Sequence, residues 1–342
     1  MSQALLHLDQ HGLYCPAGDF YVDPWLPVPR AILTHAHADH ARPGCGHYLI
    51  AAPGEPIFRV RLGANASLQA LNYGQSLTLG RVRVSLHPAG HILGSAQVRI
   101  ESRGQVWVVS GDYKTQPDPT CTPYEPIPCH TFISESTFGL PIYRWPDPSA
   151  VLAQVNAWWQ ANAQAGKASL LYAYSLGKAQ RLLAGLDPRI GPIYVHGAMV
   201  RLTDAYRAAG VALAPCQPAS AAPRGQRWAG ALVLAPPSAH ATPWSRKFAP
   251  AATAFVSGWM ALRGTRRRRA VDRGFVLSDH ADWPGLLAAI AACRAQRVLV
   301  THGYTAALVR YLREQGIEAD TLNTRYQGEV DDSAPASDSP AD

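Results

Sequence analysis

Short apolar runs and alternating apolar and polar positions dominate the first third of the chain. Between Leu5 and Gly111 these runs are separated by glycine and proline turns, a pattern that predicts short β-strands. The strands predicted in this region are Tyr48–Ala52, Val82–Leu86, Gln97–Glu101 and Val106–Ser110.

Helical spacing of apolar positions appears later in the chain. The predicted helices are Val151–Gln164, Lys178–Leu186, Thr203–Ala209, Trp283–Arg294 and Thr305–Gln315. Short apolar strands lie before and between them, at Thr131–Ser134, Ser169–Tyr174, Pro192–Val195, Ala231–Ala235, Ala254–Ser257, Gly274–Leu277 and Arg297–Val300. This alternation predicts an α/β protein. Cys216–Gln226 is expected to be a loop, and 331–342, rich in Ser, Pro, Ala and Asp, a disordered tail.

Composition narrows the class of protein. A chain of 342 residues with 47% hydrophobic and 16% charged residues can bury a large core in one or two domains. Its net charge of +7 favours a polyanionic partner, although the basic run at Arg263 and Arg266–Arg269 is equally consistent with a solvated loop. The six cysteines contain no C-x-x-C pair, which argues against a zinc knuckle and a disulfide framework. Neither a signal peptide nor a membrane span is expected, so we expect a cytoplasmic protein.

The segment Thr34–His40 carries the strongest chemical signal. His35, His37, Asp39 and His40 follow the apolar run that ends at Leu33. Imidazole nitrogen and carboxylate oxygen suit zinc, and alternate residues of an extended loop point the same way. An accidental metal-binding surface loop would rarely combine three histidines and an aspartate directly after a strand. The segment therefore predicts part of a two-metal hydrolase site.

Further candidate ligands follow other predicted strands: His91, Asp112 and His302. We assign His35, His37 and His91 to one metal ion, Asp39, His40 and His302 to the other, and Asp112 as the bridge. Two divalent ions, zinc ahead of manganese, would hold a hydroxide nucleophile and neutralise the charge on a phosphoryl oxygen. Asp23 is either a group that orients a ligating imidazole or a turn carboxylate before Pro24.

A histidine that is not a ligand could protonate the departing alkoxide, provided that a carboxylate holds its tautomer. His280 and Glu135, each just after a predicted strand, fit these two roles. Ser278 or Asp279 could instead simply cap the helix that begins at Trp283, and both interpretations are compatible.

Together these motifs resemble those of the metallo-β-lactamase fold. His35-x-His37-x-Asp39-His40, His91 and Asp112 look like its signature, and Glu135, His280 and His302 resemble three further motifs of its nucleic-acid-processing β-CASP branch. The resemblance implies an αββα sandwich with an inserted α/β β-CASP domain. The hydrolase domain would comprise 1–140 and 270–330, and the insert 141–269.

The resemblance extends to segments such as Gly12–Phe20, Phe138–Tyr143 and Ser257–Met260, which look like the bacterial ligase-associated DNA exonuclease group. That group implies action on DNA ends in repair, with an ATP-dependent DNA ligase and a helicase as candidate partners. Tyr174–Lys178 is similar to a motif of the Artemis/Apollo DNA nucleases. It implies phosphate binding by Ser175, Gly177 and Lys178, and Ser278 would join them. The alternative is that Tyr174–Lys178 is an ordinary strand–turn–helix junction.

Four functions follow as hypotheses. The first is a DNA exonuclease, acting 5′ to 3′, in which a metal-bound hydroxide attacks, Asp39 and Asp112 steer it, and His280 protonates the leaving oxygen. The second is an RNA-processing nuclease, endonucleolytic or 5′ exonucleolytic, because a histidine at the position of His302 is usual in RNA-processing members, although also in many bacterial ones. The third, a small-molecule hydrolase, is disfavoured by Glu135, His280 and the large insert. The fourth, a scaffold without metal, is disfavoured by the complete ligand set.

Overall fold

The structure is a computed structural model that describes residues 4–264 and 270–326. The basic run Arg266–Arg269 and the tail predicted for 331–342 lie outside the described residues. The described chain divides into two compact units. The first unit contains residues 4–144 and 279–326, and the second contains 145–278 apart from the gap.

Two β-sheets face each other in the first unit. Among the described residues, the first sheet has the order β1-β2-β3-β4-β5-β6, with strands His7–Leu8, Leu13–Cys15, Phe20–Val22, Arg30–Ile32, His47–Ala51 and Leu68–Leu71. The strands of the second sheet, in chain order, are β7 Ser76–Leu79, β8 Val82–Pro88, β9 Ala96–Ser102, β10 Gln105–Val109, β11 Thr131–Ser136, β18 Arg297–Gly303 and β19 Glu318–Thr321. Across this sheet they lie in the order β19-β18-β11-β10-β9-β8-β7.

The apolar core of the first unit follows from the alternation along these strands. Val84 and Leu86 on β8, and Val98 and Ile100 on β9, join Ile32 of the first sheet in one buried cluster. Alternate residues of the second sheet point the other way, where they pack against helices Trp283–Cys293 and Thr305–Glu314. Burying both faces makes this sheet a rigid base for the loops at its strand ends.

The second unit has a single sheet that is parallel at every pairing described. Its order is β14-β13-β15-β12-β16-β17, and the strands, in chain order, are β12 Ala168–Tyr172, β13 Ile193–Val195, β14 Gln217–Pro218, β15 Leu232–Ala235, β16 Ala251–Val256 and β17 Arg273–Phe275. Helices Pro148–Gln164, Lys178–Gly185 and Gly197–Ala208 pack on one face. The other face is covered by residues from the segment between β14 and β16, which contains the short helix Pro243–Arg246.

The predicted α/β class is confirmed. One assignment needs correction, because β17, which we predicted at Gly274–Leu277 in the closing part of the hydrolase domain, pairs with β16 and completes the sheet of the second unit. Helix Glu55–Leu62 was also absent from the prediction. Among the described residues, no helix is long and apolar enough to span a membrane.

Candidate metal centre

The candidate ligands of the first unit all lie in loops or at strand ends. The loop Thr34–His40 follows β4, His91 follows β8, Asp112 follows β10, and His302 lies at the end of β18. Two glycines allow the close approach of these segments. A Cβ at Gly111, where φ is 57°, would lie 2.5 Å from the Thr34 side chain, and a Cβ at Gly303, where φ is 82°, would lie 2.2 Å from the Ser136 carbonyl oxygen.

His35, His37, His91 and Asp112 form the first ligand group. Each offers one ligand atom, and these atoms lie within 4.8 Å of one another. Nε2 of His91 is 3.0 Å from Nδ1 of His37, and Asp112 Oδ2 lies 3.5 Å from His35 Nε2 and 3.8 Å from His91 Nε2. The structure thus brings together the three histidines assigned to the first ion.

The other oxygen of Asp112 faces a second group. Asp112 Oδ1 lies 3.0 Å from His302 Nε2 and 3.8 Å from His40 Nε2, and Asp39 Oδ2 lies 3.7 Å from that same His40 nitrogen. One carboxylate therefore presents each oxygen to a different set of imidazoles. This is the arrangement expected of a residue that bridges two cations.

Orphaned polar atoms test whether cations fit this centre. Within the described part of the chain, four buried atoms here make no hydrogen bond of normal geometry: His35 Nε2, His40 Nε2, Asp112 Oδ1 and His302 Nε2, the last two facing each other at 3.0 Å. A buried polar atom without a partner costs about 1–3 kcal/mol, so four at one point would be strongly destabilising on their own. Divalent cations would satisfy all four, and the histidine and aspartate donors suit them. The residues fit the metals that the sequence predicts.

The protonation of the centre agrees with this fit. Burial lowers the pKa of His35 and His91 well below the ordinary value, so both imidazoles are neutral and able to ligate. Burial alone would lower the pKa of His40, but the carboxylates of Asp39, Asp112 and Asp23 raise it to about 10. Burial would raise the pKa of Asp112, yet its electrostatic interaction with the neighbouring imidazoles of His40 and His302 holds that pKa well below its usual range. These carboxylates thus stabilise a positive charge at His40, whether proton or metal ion.

The second nitrogen of each buried imidazole is held by the protein. Nδ1 of His40 lies 2.8 Å from Asp23 Oδ2, and Asp23 also accepts hydrogen bonds from the backbone N–H, at 2.7 Å, and the hydroxyl of Thr34. The Thr34 hydroxyl in turn lies 3.0 Å from Nδ1 of His35. Because these contacts fix the tautomers, Nε2 of both histidines points at the centre. Asp23 thus lies where the orienting role requires.

The remaining ligands are supported in the same way. Nδ1 of His91 lies 2.8 Å from the Asp279 carbonyl oxygen, and Nδ1 of His302 lies 3.0 Å from the Thr301 hydroxyl.

His280 and Glu135 meet although 145 residues separate them in sequence. Nδ1 of His280 lies 2.9 Å from Oε2 and 3.0 Å from Oε1 of Glu135, and both side chains are buried. The backbone N–H of Tyr113 donates to Glu135 Oε1 at 2.7 Å, which fixes the carboxylate. His280 Nδ1 is also 4.0 Å from Asp112 Oδ2, so the pair adjoins the metal centre. Asp112, Glu135 and His280 could themselves hold a cation, an alternative to the predicted acid role.

The candidate phosphate-binding residues belong to the second unit. The Lys178 side chain is buried, with its ammonium 4.7 Å from the centre of the Tyr174 ring. The backbone N–H of Gly177, expected to face an anion, donates instead to Gln180 Oε1 at 2.8 Å. Ser175 Oγ is buried without a hydrogen-bond partner among the described residues, and the Ser278 carbonyl accepts a hydrogen bond from Arg181. A phosphate could reach Lys178 only after its surroundings rearrange.

Two residues at the metal centre were missed by the sequence analysis. Thr34 links Asp23 to His35, and its place directly before His35 was an available signal. Tyr326 stacks on His40 with ring centroids 4.3 Å apart and planes at 15°, and its hydroxyl donates to the Asp23 carbonyl oxygen at 3.0 Å. No local motif marks Tyr326, which lies beyond the last strand.

Comparisons with known proteins identify relatives. A probable DNA ligase of Opitutus terrae is 33% identical over 327 residues, covering 94% of this chain and 31% of that protein. An endoribonuclease of Gibberella zeae is 28% identical over 247 residues, covering 58% of this chain and 29% of that protein. The chain thus spans about a third of the length of these relatives. No protein-family model matches.

The fold also matches a solved structure. A protein of unknown function from Enterococcus faecalis aligns with a TM-score of 0.55 and 13% identity, over 87% of this chain and 80% of that one. Facing sheets with histidines and aspartates clustered at their strand ends are typical of metallo-hydrolases. With its relatives, the chain belongs to the β-CASP branch of the metallo-β-lactamase family, as the sequence motifs predicted.

Proposed function

We propose that this protein is a metal-dependent nuclease that hydrolyses phosphodiester bonds at DNA ends. The proposal rests on the position of Asp112, because its two carboxylate oxygens face two different groups of imidazoles. His35, His37, His91 and Asp112 would hold one ion, and Asp39, His40, His302 and Asp112 the other. Such a pair of ions lowers the pKa of water and neutralises the charge that develops on a phosphoryl oxygen.

The protein side chains perform the remaining steps. Asp23 and Thr34 hold His40 and His35 in the tautomers that direct Nε2 inward. Asp39 and Asp112 steer the attacking water toward the phosphorus. Glu135 accepts the hydrogen bond from His280 Nδ1–H and favours the doubly protonated imidazolium, whose Nε2–H then donates a proton to the leaving 3′ or 5′ oxygen. Proton donation contributes about 10²–10⁴-fold to such reactions.

We propose DNA and not RNA as the substrate because one relative is named as a probable DNA ligase. Almost the whole of this chain is similar to about a third of that protein. A segment that shares a polypeptide with a ligase is well placed to trim ends before they are joined. We therefore propose exonucleolytic action in DNA repair, 5′ to 3′, with an ATP-dependent ligase and a helicase as partners. The phosphate role of Ser175, Lys178 and Ser278 belongs to the same proposal, whereas the Gly177 amide already donates to Gln180.

RNA processing is the second candidate function. It is favoured by the similarity to an endoribonuclease and by the presence of His302 at the centre.

An assay on end-labelled nucleic acids separates the two candidates. Purified protein with Zn²⁺ or Mn²⁺ is given single-stranded DNA, duplex DNA and RNA of the same sequence, labelled at the 5′ or the 3′ end. Stepwise shortening of DNA, with release of the 5′ label as a mononucleotide, supports the proposal. Cleavage of RNA with DNA untouched would replace it with the second candidate.

A further inference from the structure

One long segment of the second unit has no acidic residue. Residues 205–271 contain no Asp or Glu, although the chain has 24 in total, and they contain ten Lys and Arg. The basic residues described there include Arg224, Arg227, Arg246 and Lys247, all exposed. A segment of this length and charge attracts polyanions.

The fold places much of this segment over one face of the sheet in the second unit. Tyr194 of β13, Val233 of β15 and Phe255 of β16 point to this face, and Phe248 is buried among the same cluster. Trp228 and Trp244 pack against that cluster from outside and remain partly exposed. The long helices cover the opposite face. This face is therefore covered by a segment with one short described helix, Pro243–Arg246, and it presents indole rings and cations.

The aromatic rings are held rigidly. Trp228 and Trp244 each make an edge-to-face contact with Phe248, at centroid distances of 4.6 Å and 4.8 Å. Trp228 also contacts Tyr194 at 4.9 Å, and Trp244 contacts His196 at 4.7 Å. Because neighbouring rings contact both indoles, little side-chain entropy of the protein is lost when a ligand stacks on them.

A cation lies directly beside these rings. The Lys247 ammonium is 5.0 Å from the Trp244 ring, 4.9 Å from the Phe248 ring and 6.0 Å from the Trp228 ring. Among the residues that the structure describes, no carboxylate forms an ion pair with Arg227, Arg246 or Lys247. Their charge thus remains available to an anionic ligand.

We propose that Trp228, Trp244, Lys247 and Phe248 form a platform that binds single-stranded nucleic acid. Bases would stack on the exposed parts of the two indoles, and Lys247, with Arg227 and Arg246, would contact the phosphates. Duplex DNA fits less well, because its bases are stacked on each other and present only the backbone to such a surface. The platform deepens the proposed nuclease function, on which it rests for its biological use, by naming a single strand as the bound substrate.

Binding measurements on the full chain test the platform. Fluorescence anisotropy is measured in chelator, so that nothing is cleaved, with labelled oligo-dT, oligo-rU, an abasic oligomer of equal length and a DNA duplex. Trp244→Ala and Trp228→Ala should each weaken oligo-dT binding by about 5- to 100-fold. The same changes should leave the affinity for the abasic oligomer unaltered, because it has phosphates but no bases.

Lys247→Gln should act differently from the tryptophan variants. It should weaken binding to every oligomer and reduce the slope of log K against log salt by about 0.7, the value for one phosphate contact on a single strand. Arg201→Gln is the matched control, since Arg201 is an exposed cation on helix Gly197–Ala208 of the opposite face. It should change neither affinity nor slope. Trp244→Phe keeps an aromatic ring and should retain most of the affinity if the fold is intact.

Several results would overturn the platform. These are unchanged oligo-dT affinity in both tryptophan variants, an equal loss for the abasic oligomer, or tighter binding of the duplex than of the single strand. Oligo-rU bound within tenfold of oligo-dT supports stacking, whereas binding of oligo-rU alone would contradict it. The proposed nuclease function is tested separately from the platform. If binding depends on the platform residues but the protein cleaves no nucleic acid, the nuclease function is refuted and the platform is not.

Discussion

Replacing Asp23 by alanine should weaken metal binding without touching any ligand. Asp23 is 1% exposed and accepts three hydrogen bonds, from the N–H and hydroxyl of Thr34 and from Nδ1 of His40. Without the carboxylate, His40 loses the partner that fixes its tautomer, and metal affinity should fall about 10- to 100-fold. The free energy of unfolding should also fall.

The stability loss can be estimated from the same contacts. The Thr34 hydroxyl can rotate to another acceptor, whereas the Thr34 N–H and His40 Nδ1–H cannot. Two buried donors left without partners cost about 1–3 kcal/mol each, or about 2–6 kcal/mol in all. Asp23→Asn keeps one acceptor oxygen, so it should fold better while still losing metal affinity.

Asp272→Ala is the matched control. Asp272 also accepts from the N–H and hydroxyl of a threonine, Thr253, but it is exposed and lies in the second unit. Water replaces its carboxylate, so stability should change by about 0.5 kcal/mol or less and metal affinity should not change.

Metal affinity is measured by competition with a chromophoric chelator, and stability by urea unfolding of the metal-free protein. If Asp23→Ala is less stable yet binds metal as tightly as the unmodified protein, our reasoning about His40 is wrong. If Asp272→Ala loses metal affinity equally, the effect of Asp23 is not local.

Changes at four further residues test the metal centre and the candidate phosphate site. His280→Ala should keep both metal ions and lose about 10²–10⁴-fold in turnover. Asp112→Ala should lose metal together with activity. Metal content is measured for both variants, and an ion missing from His280→Ala would refute the acid role. Tyr326→Ala should raise the rate at which a chelator strips metal, because the stacked ring no longer holds His40. Tyr326→Phe keeps the ring and loses only the hydroxyl bond to the Asp23 carbonyl, so its rate should resemble that of the unmodified protein. Lys178→Ala should weaken DNA binding and flatten its salt dependence relative to Arg201→Ala; equal slopes would remove Lys178 from the phosphate site.

Strands with clear apolar runs could be predicted from the sequence. Val82–Leu86 and Gln97–Glu101 lie within β8 and β9, because the alternation that buries one face of a strand is visible in the residues themselves. Helix Glu55–Leu62 could not be predicted in this way. It has a proline at its second position and buries only Ile57 and Phe58, too few to produce a helical period.

The candidate metal ligands were predictable because four of them lie within six residues and the others follow strands that end at one edge. Contacts between distant segments were harder. The pairing of His280 with Glu135 was predicted from the roles of an acid and its orienting carboxylate, not from any local spacing of the two residues. The stacking of Tyr326 on His40 has no signal in the sequence at all. The amide of Gly177 was expected to face a phosphate but is taken by Gln180, because a side chain three residues away can reach it.

Metal removal and replacement tests the central claim most directly. The purified protein is stripped with chelator, then titrated with Zn²⁺ or Mn²⁺ while bound metal per chain and DNA cleavage are measured together. We predict two ions per chain, no cleavage in the stripped protein, and recovery of cleavage as the second ion binds. Cleavage that survives chelation, or full activity with a single ion in the centre around Asp112, would contradict the two-metal account.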